Sequence, residues 1–182
     1  VRDRQAATTR RASATWMAPR NNGDSRGAVL RRDADAMAFV SGSARLVDGD
    51  ANGVDDVFLR TRAGVVTRLS VAADGSPANG ASSAPAFADA ANAVAFVSAA
   101  SNLVAGDSNG RADVFVKRID DGAITRVSLA NGAQVAVDAI APVSIGSDGQ
   151  VVVFTSDDGS PYAGAGGDSN GFRDVVRIDR GT

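Results

Sequence analysis

Apolar residues fall in short runs of four to six along this chain, each closed by Gly, Asn, Asp or Ser. That is the pattern of β-strands cut by turns. In the middle of the chain the runs are Ala84 to Ala88, Ala93 to Ser98, Asp113 to Arg118 and Ala123 to Leu129. No stretch keeps apolar residues at helical spacing for three turns. The run Ala93-Val-Ala-Phe-Val97 is nearly continuous, and the alternation in Asp113-Val-Phe-Val-Lys-Arg118 is imperfect. Strands buried on both faces read this way.

The same text recurs. Phe39, Phe96 and Phe154 lie 57 and 58 residues apart, and Asp50, Asp107 and Asp168 lie 57 and 61 apart. Arg68-Leu-Ser70 returns as Arg126-Val-Ser128, and Arg11-Ala-Ser13 is the same feature 57 residues earlier. Pro85 and Pro142 share a register that Ala28 holds in the first copy. The expected fold class is therefore all-β, with about three four-stranded repeats of about 58 residues bounded near 1–58, 59–115 and 116–182. Four strands per repeat point to β-propeller blades, because solenoid coils are shorter and a sandwich needs no such self-similarity.

Val1-Arg-Asp-Arg-Gln5 falls in the register of a third strand, and so does Arg177-Ile-Asp-Arg-Gly181. The array thus begins and ends mid-blade. Three blades cannot close a ring of four to eight. Two readings are open: a piece of a longer propeller, or half of a dimeric six-bladed ring in which each copy supplies the strand its neighbour lacks.

Chemistry enters with the recurring Asp-x-Asn-Gly-x-x-Asp: Asp50, Asn52 and Asp56; Asp107, Asn109 and Asp113; Asp168, Asn170 and Asp174. Carboxylates and an amide oxygen at this spacing are a start toward the six to eight oxygens calcium needs. The same residues serve equally as turn formers, with Asn-Gly supplying a positive φ and Asp capping backbone amides. The turn is the favoured expectation, and a calcium loop is the alternative. Arg11, Arg68 and Arg126 are expected on an exposed outer strand, paired with nearby Asp. Trp16, the only tryptophan, is expected to be buried in the first blade.

The rest of the composition narrows the function. With no histidine and no cysteine, the chain lacks the commonest general base and the thiolate nucleophile. The adjacent pairs Asp55-Asp56, Asp120-Asp121 and Asp157-Asp158 sit in turn-like sequence, and neighbouring strand residues point to opposite faces. No Gly-x-Ser-x-Gly elbow is present, and Tyr162-Ala-Gly-Ala-Gly-Gly167 lacks the Lys and helix of a phosphate loop. Catalysis is not expected. The net charge of −2 gives no case for nucleic acid, and no apolar run is long enough to insert in a membrane.

The blade text resembles the WD40-like (PD40) repeat of the TolB family of β-propellers. The residues are Pro142, Ser147-Asp148-Gly149, Val153-Phe154-Thr155-Ser156 and Asp174-Val175-Val176, and less fully Pro85, Ala95 to Ser98 and Asp113-Val114-Phe115. All three copies carry a longer connection between second and third strands than the family repeat. The resemblance implies a propeller fold and a periplasmic or extracellular location. Together these expectations describe a non-catalytic protein-binding or structural module, its partner another protein or a second copy. The alternatives are a calcium-stabilised extracellular adhesion or surface module and the accessory propeller of a larger enzyme.

Overall fold

The computed structural model describes residues 2–3, 8–9, 11–14, 22–162 and 170–181. A short hairpin, β1 (Arg2–Asp3) with β2 (Thr8–Thr9), precedes three antiparallel sheets. The first sheet holds β3 (Ser25–Leu30), β4 (Ala36–Ser41), β5 (Asp56–Thr61) and β6 (Val66–Arg68). The second holds β7 (Ser82–Ala88), β8 (Ala93–Ser98), β9 (Asp113–Arg118) and β10 (Ile124–Arg126). After a hairpin of β11 (Leu129–Ala130) and β12 (Ala133–Gln134), the third holds β13 (Ala139–Ile145), β14 (Val151–Ser156) and β15 (Asp174–Asp179). In each sheet the strands lie side by side in chain order, as in a propeller blade. The chain is a partial β-propeller.

The repeat extends to atomic register. Phe39 faces Phe58, Phe96 faces Phe115, and Phe154 faces Val176 across the same strand pair. Each first strand carries a bulge at the same place, between Arg26 and Val29, Ser83 and Ala86, and Ile140 and Val143. There the backbone takes a positive φ at Gly27 and Ala84. A bulge leaves a residue out of the ladder, which is how Pro85 and Pro142 fit inside these strands.

Burial follows from the stacking of sheets. Along β8 every residue is buried. Val94 and Phe96 join Ala38, Val40, Val57 and Leu59 of the first blade, while Ala95 and Val97 join Val143, Val152 and Phe154 of the third. The near-continuous apolar run thus serves two interfaces. Burying a Phe or Val fully is worth about 1.5–3 kcal/mol, so these faces hold the array together.

Close backbone approach adds a tighter constraint. A Cβ on Gly80 would stand 2.5 Å from the Ala99 carbonyl oxygen, and Gly23 meets Gly42 in the same way one repeat earlier. Backbone atoms cannot swing aside as a side chain can. Gly80→Ala is therefore expected to destabilise the chain by about 1–3 kcal/mol, the cost of overpacking. Chemical denaturation of the variant measures it.

Candidate functional site

The connection from second to third strand carries the Asp-x-Asn-Gly-x-x-Asp segment, so the motif is no two-residue hairpin turn. Its glycines have positive φ (Gly53 +71°, Gly110 +67°, Gly171 +70°), but Asn52 and Asn109 do not. The asparagine instead forms an Asx turn. Asn52 Oδ1 accepts from the Val54 N–H at 3.3 Å, Asn109 Oδ1 from Arg111 at 3.0 Å, and Asn170 Oδ1 from Phe172 at 2.7 Å.

The other end of each asparagine ties the loop to the blade. Asn52 Nδ2 donates to Asp56 Oδ2 at 2.8 Å and to the Ala78 carbonyl at 3.0 Å. Asn109 Nδ2 does the same to Asp113 Oδ2 at 3.0 Å and the Val135 carbonyl at 3.1 Å. Asp56 and Asp113, at the heads of β5 and β9, are fully buried. Their second oxygens accept from Ser70 and Ser128 hydroxyls at 2.5 Å. Those hydroxyls in turn accept the Val57 and Val114 N–H groups.

An arginine closes each cluster. Arg68 Nη1 stands 2.9 Å from Asp50 Oδ1 and 3.6 Å from Asp56 Oδ2. Arg126 Nη1 stands 2.9 Å from Asp107 Oδ1 and 3.6 Å from Asp113 Oδ2. Gln134 adds a bond to Asp107 Oδ1 at 3.2 Å. Two carboxylates, an amide, a hydroxyl and one guanidinium thus gather inside the blade, the arginine held by ion pairing while its buried Nε and Nη1 make no hydrogen bond. The bonds that Asn and Ser donate to the aspartate carboxylates are charge-assisted, a class roughly twice as strong as neutral ones.

This corrects the exposed outer-strand reading for two of the three arginines. The side chains of Arg68 and Arg126 are 7% and 10% exposed. The short fourth strand lies against the loop joining strands two and three, so its arginine turns inward. Arg11 is exposed, while Ala12 beside it packs on Met37, Phe39 and Phe58 of the first blade. In the third blade Asn170 keeps its Asx turn and Asp174 heads β15. Asp168, Trp16, most of the Tyr162–Gly167 run and Val1, Arg4 and Gln5 lie outside the described residues.

The adjacent acidic pairs are engaged by neighbouring groups. Asp55 pairs with exposed Arg26 while Asp56 turns inward. Asp120 and Asp121 both hold Arg118 at the surface, and Asp157 accepts the Asp138 N–H at 2.7 Å. Among the described residues no three His, Cys, Asp or Glu side chains gather as a metal-ligand set.

Burial, and then the neighbouring Asp56 or Asp113 charge, pushes the Asp50 and Asp107 carboxyls above the usual aspartate range. Between the unfolded value near 4 and the raised folded value, the folded chain holds a proton that the unfolded chain has released. Their contribution to stability therefore grows as pH falls through that window. Relative to Asp107→Asn, the unmodified chain is expected to gain stability from pH 7 toward pH 4, read from urea midpoints at each pH.

No protein-family model and no curated protein matches the chain. Among solved structures it is similar to TolB from Acinetobacter baumannii, with a TM-score of 0.52 and 16% identity over 88% of this chain. The chain spans 31% of the length of that neighbour. At this identity the likeness concerns the fold, a partial propeller of the TolB kind.

Proposed function

We propose that this chain is a non-catalytic propeller-blade module that works by associating with polypeptide, a second copy of itself included. The observation that carries the reading is a contrast at one register position. Val57 and Val114 are fully buried by the next blade, whereas Val175, their counterpart on β15, is 75% exposed. A β-branched apolar residue on an open blade face is suited to being covered. The polar residues of the repeat point the same way, since the Asp, Asn, Arg and Ser that resemble a reactive cluster are buried and engaged with one another. The calcium reading would need Asp50, Asn52 and Asp56, or Asp107, Asn109 and Asp113, to turn their oxygens toward an ion. A guanidinium stands at that place in both loops, which favours the structural turn.

Sedimentation equilibrium from micromolar to sub-millimolar concentration tests association directly. The expected result is concentration-dependent assembly that Val175→Lys weakens. A chain that stays monomeric throughout contradicts the reading.

A further inference from the structure

We propose that Asn131-Gly132, at the tip of the β11–β12 hairpin, is a self-modification site. Asn131 converts to aspartate and isoaspartate with water as the only co-reactant, and the isoaspartyl product loosens the second blade. The glycine nitrogen gives up its proton and attacks the asparagine Cγ, ammonia leaves, and a succinimide ring closes. Water then opens that ring at either carbonyl. One product is aspartate, and the other is isoaspartate, in which the main chain runs through Cβ and Cγ. Glycine permits the attack because it has no Cβ to crowd the nitrogen. The chain holds six Asn-Gly pairs, opening at Asn22, Asn52, Asn79, Asn109, Asn131 and Asn170, so the fold decides which of them reacts.

The other asparagines are held. Asn52, Asn109 and Asn170 turn Oδ1 toward the N–H two residues on, at 3.3, 3.0 and 2.7 Å. Asn52 and Asn109 also tie Nδ2 to the buried carboxylates of Asp56 and Asp113. Asn22 Oδ1 accepts from the Ser43 hydroxyl at 3.0 Å. Asn79 Oδ1 accepts from the Ser101 N–H at 2.8 Å, and its Nδ2 donates to the Ser101 hydroxyl at 2.9 Å. The glycines after these last two are pinned as well, since a Cβ on Gly23 or Gly80 would meet a backbone oxygen at 2.4 or 2.5 Å. Ring closure at any of these pairs must first break a hydrogen bond.

Asn131 differs on each count. It is exposed, and among the described residues its side chain enters no hydrogen bond. It stands in the two-residue turn joining Ala130 to Ala133, with φ of +51° at Asn131 and +79° at Gly132. A Cβ on Gly132 would meet nothing within 4 Å, so the turn has room to rearrange. The hairpin also braces the blade. Gln134 Nε2 donates to Asp107 at 3.2 Å, and the Val135 carbonyl accepts from Asn109 Nδ2 at 3.1 Å. Isoaspartate adds a methylene to the main chain inside a turn whose length sets the register of both strands, which shifts Gln134 and Val135 off the loop they hold. Ordinary aspartate adds none, and the first blade carries Asp74-Gly75 at this register, 57 residues earlier.

The test is peptide mapping by mass spectrometry of the intact chain aged in mildly alkaline buffer, beside a sample aged in concentrated urea. In the folded sample Asn131 should convert at least about fivefold faster than every other Asn-Gly pair, the protection that one net hydrogen bond gives. In urea all the pairs should convert at comparable rates. Conversion led by another pair, equal conversion of all pairs in the folded chain, or the same lead for Asn131 in urea would each overturn the proposal. The consequence is read by urea denaturation of the aged chain that has gained a negative charge, purified by anion exchange. It should unfold at a lower midpoint than Asn131→Asp, and coincident curves would overturn the loosening.

Discussion

Replacing Arg126 by alanine should lower the unfolding free energy by about 3–5 kcal/mol, the cost of stranding buried charge by removing one partner of a buried pair. Asp107 and Asp113 then face each other across a site nearly closed to solvent, with the cation that separated them gone. Arg126→Lys should recover part of the loss, because both carboxylate contacts run to one nitrogen, Nη1, and an ammonium restores the charge though on a stem of different reach. Arg11→Ala, at the same repeat position but exposed, should change stability by less than about 0.5 kcal/mol. Urea denaturation separates these outcomes. A loss below about 1 kcal/mol for Arg126→Ala would place the arginine among ordinary surface ion pairs.

Phe96→Ala should cost as much, about 3–5 kcal/mol, through lost burial and the cavity left behind. Phe96 is fully buried, stacks on Phe115 with ring centroids 6.0 Å apart, and belongs to the core that the first two blades share. Neighbouring repeats depend on such interfaces for their cooperativity, so both blades should lose stability together. Hydrogen exchange would show faster opening in β4 and β5 as well as in β8 and β9. Phe172→Ala, 73% exposed, should leave exchange and the urea midpoint nearly unchanged. Faster exchange confined to β8 and β9 would show that the blades fold independently.

Much of the fold is legible in the text of the chain, because a repeat states each strand three times. Ala93–Ser98 and Asp113–Arg118 are strands at the bounds their apolar runs imply. The first strand of that blade begins earlier, at Ser82, since the bulge near Pro85 breaks the alternation that marks a strand. The fourth is shorter, ending at Arg126, where the chain turns toward the β11–β12 hairpin. The clusters were half legible. Asp50 and Asp107 recur in step with Arg68 and Arg126, 18 and 19 residues later, and that shared period was the signal available. Periodicity does not say which way a three-residue strand turns its last side chain. The arginines look solvated in sequence and prove to be the cations their own loops enclose.

That enclosure is the central claim, and thermal melting in excess calcium and in excess chelator tests it most directly. With Arg68 and Arg126 already holding the loop carboxylates, the two curves should superimpose. A ligand that binds only the folded chain raises its stability by mass action, reaching about 2.7 kcal/mol at a hundredfold excess over Kd. A melting temperature several degrees higher in calcium would mean that the loops open their oxygens to an ion, and would contradict the account.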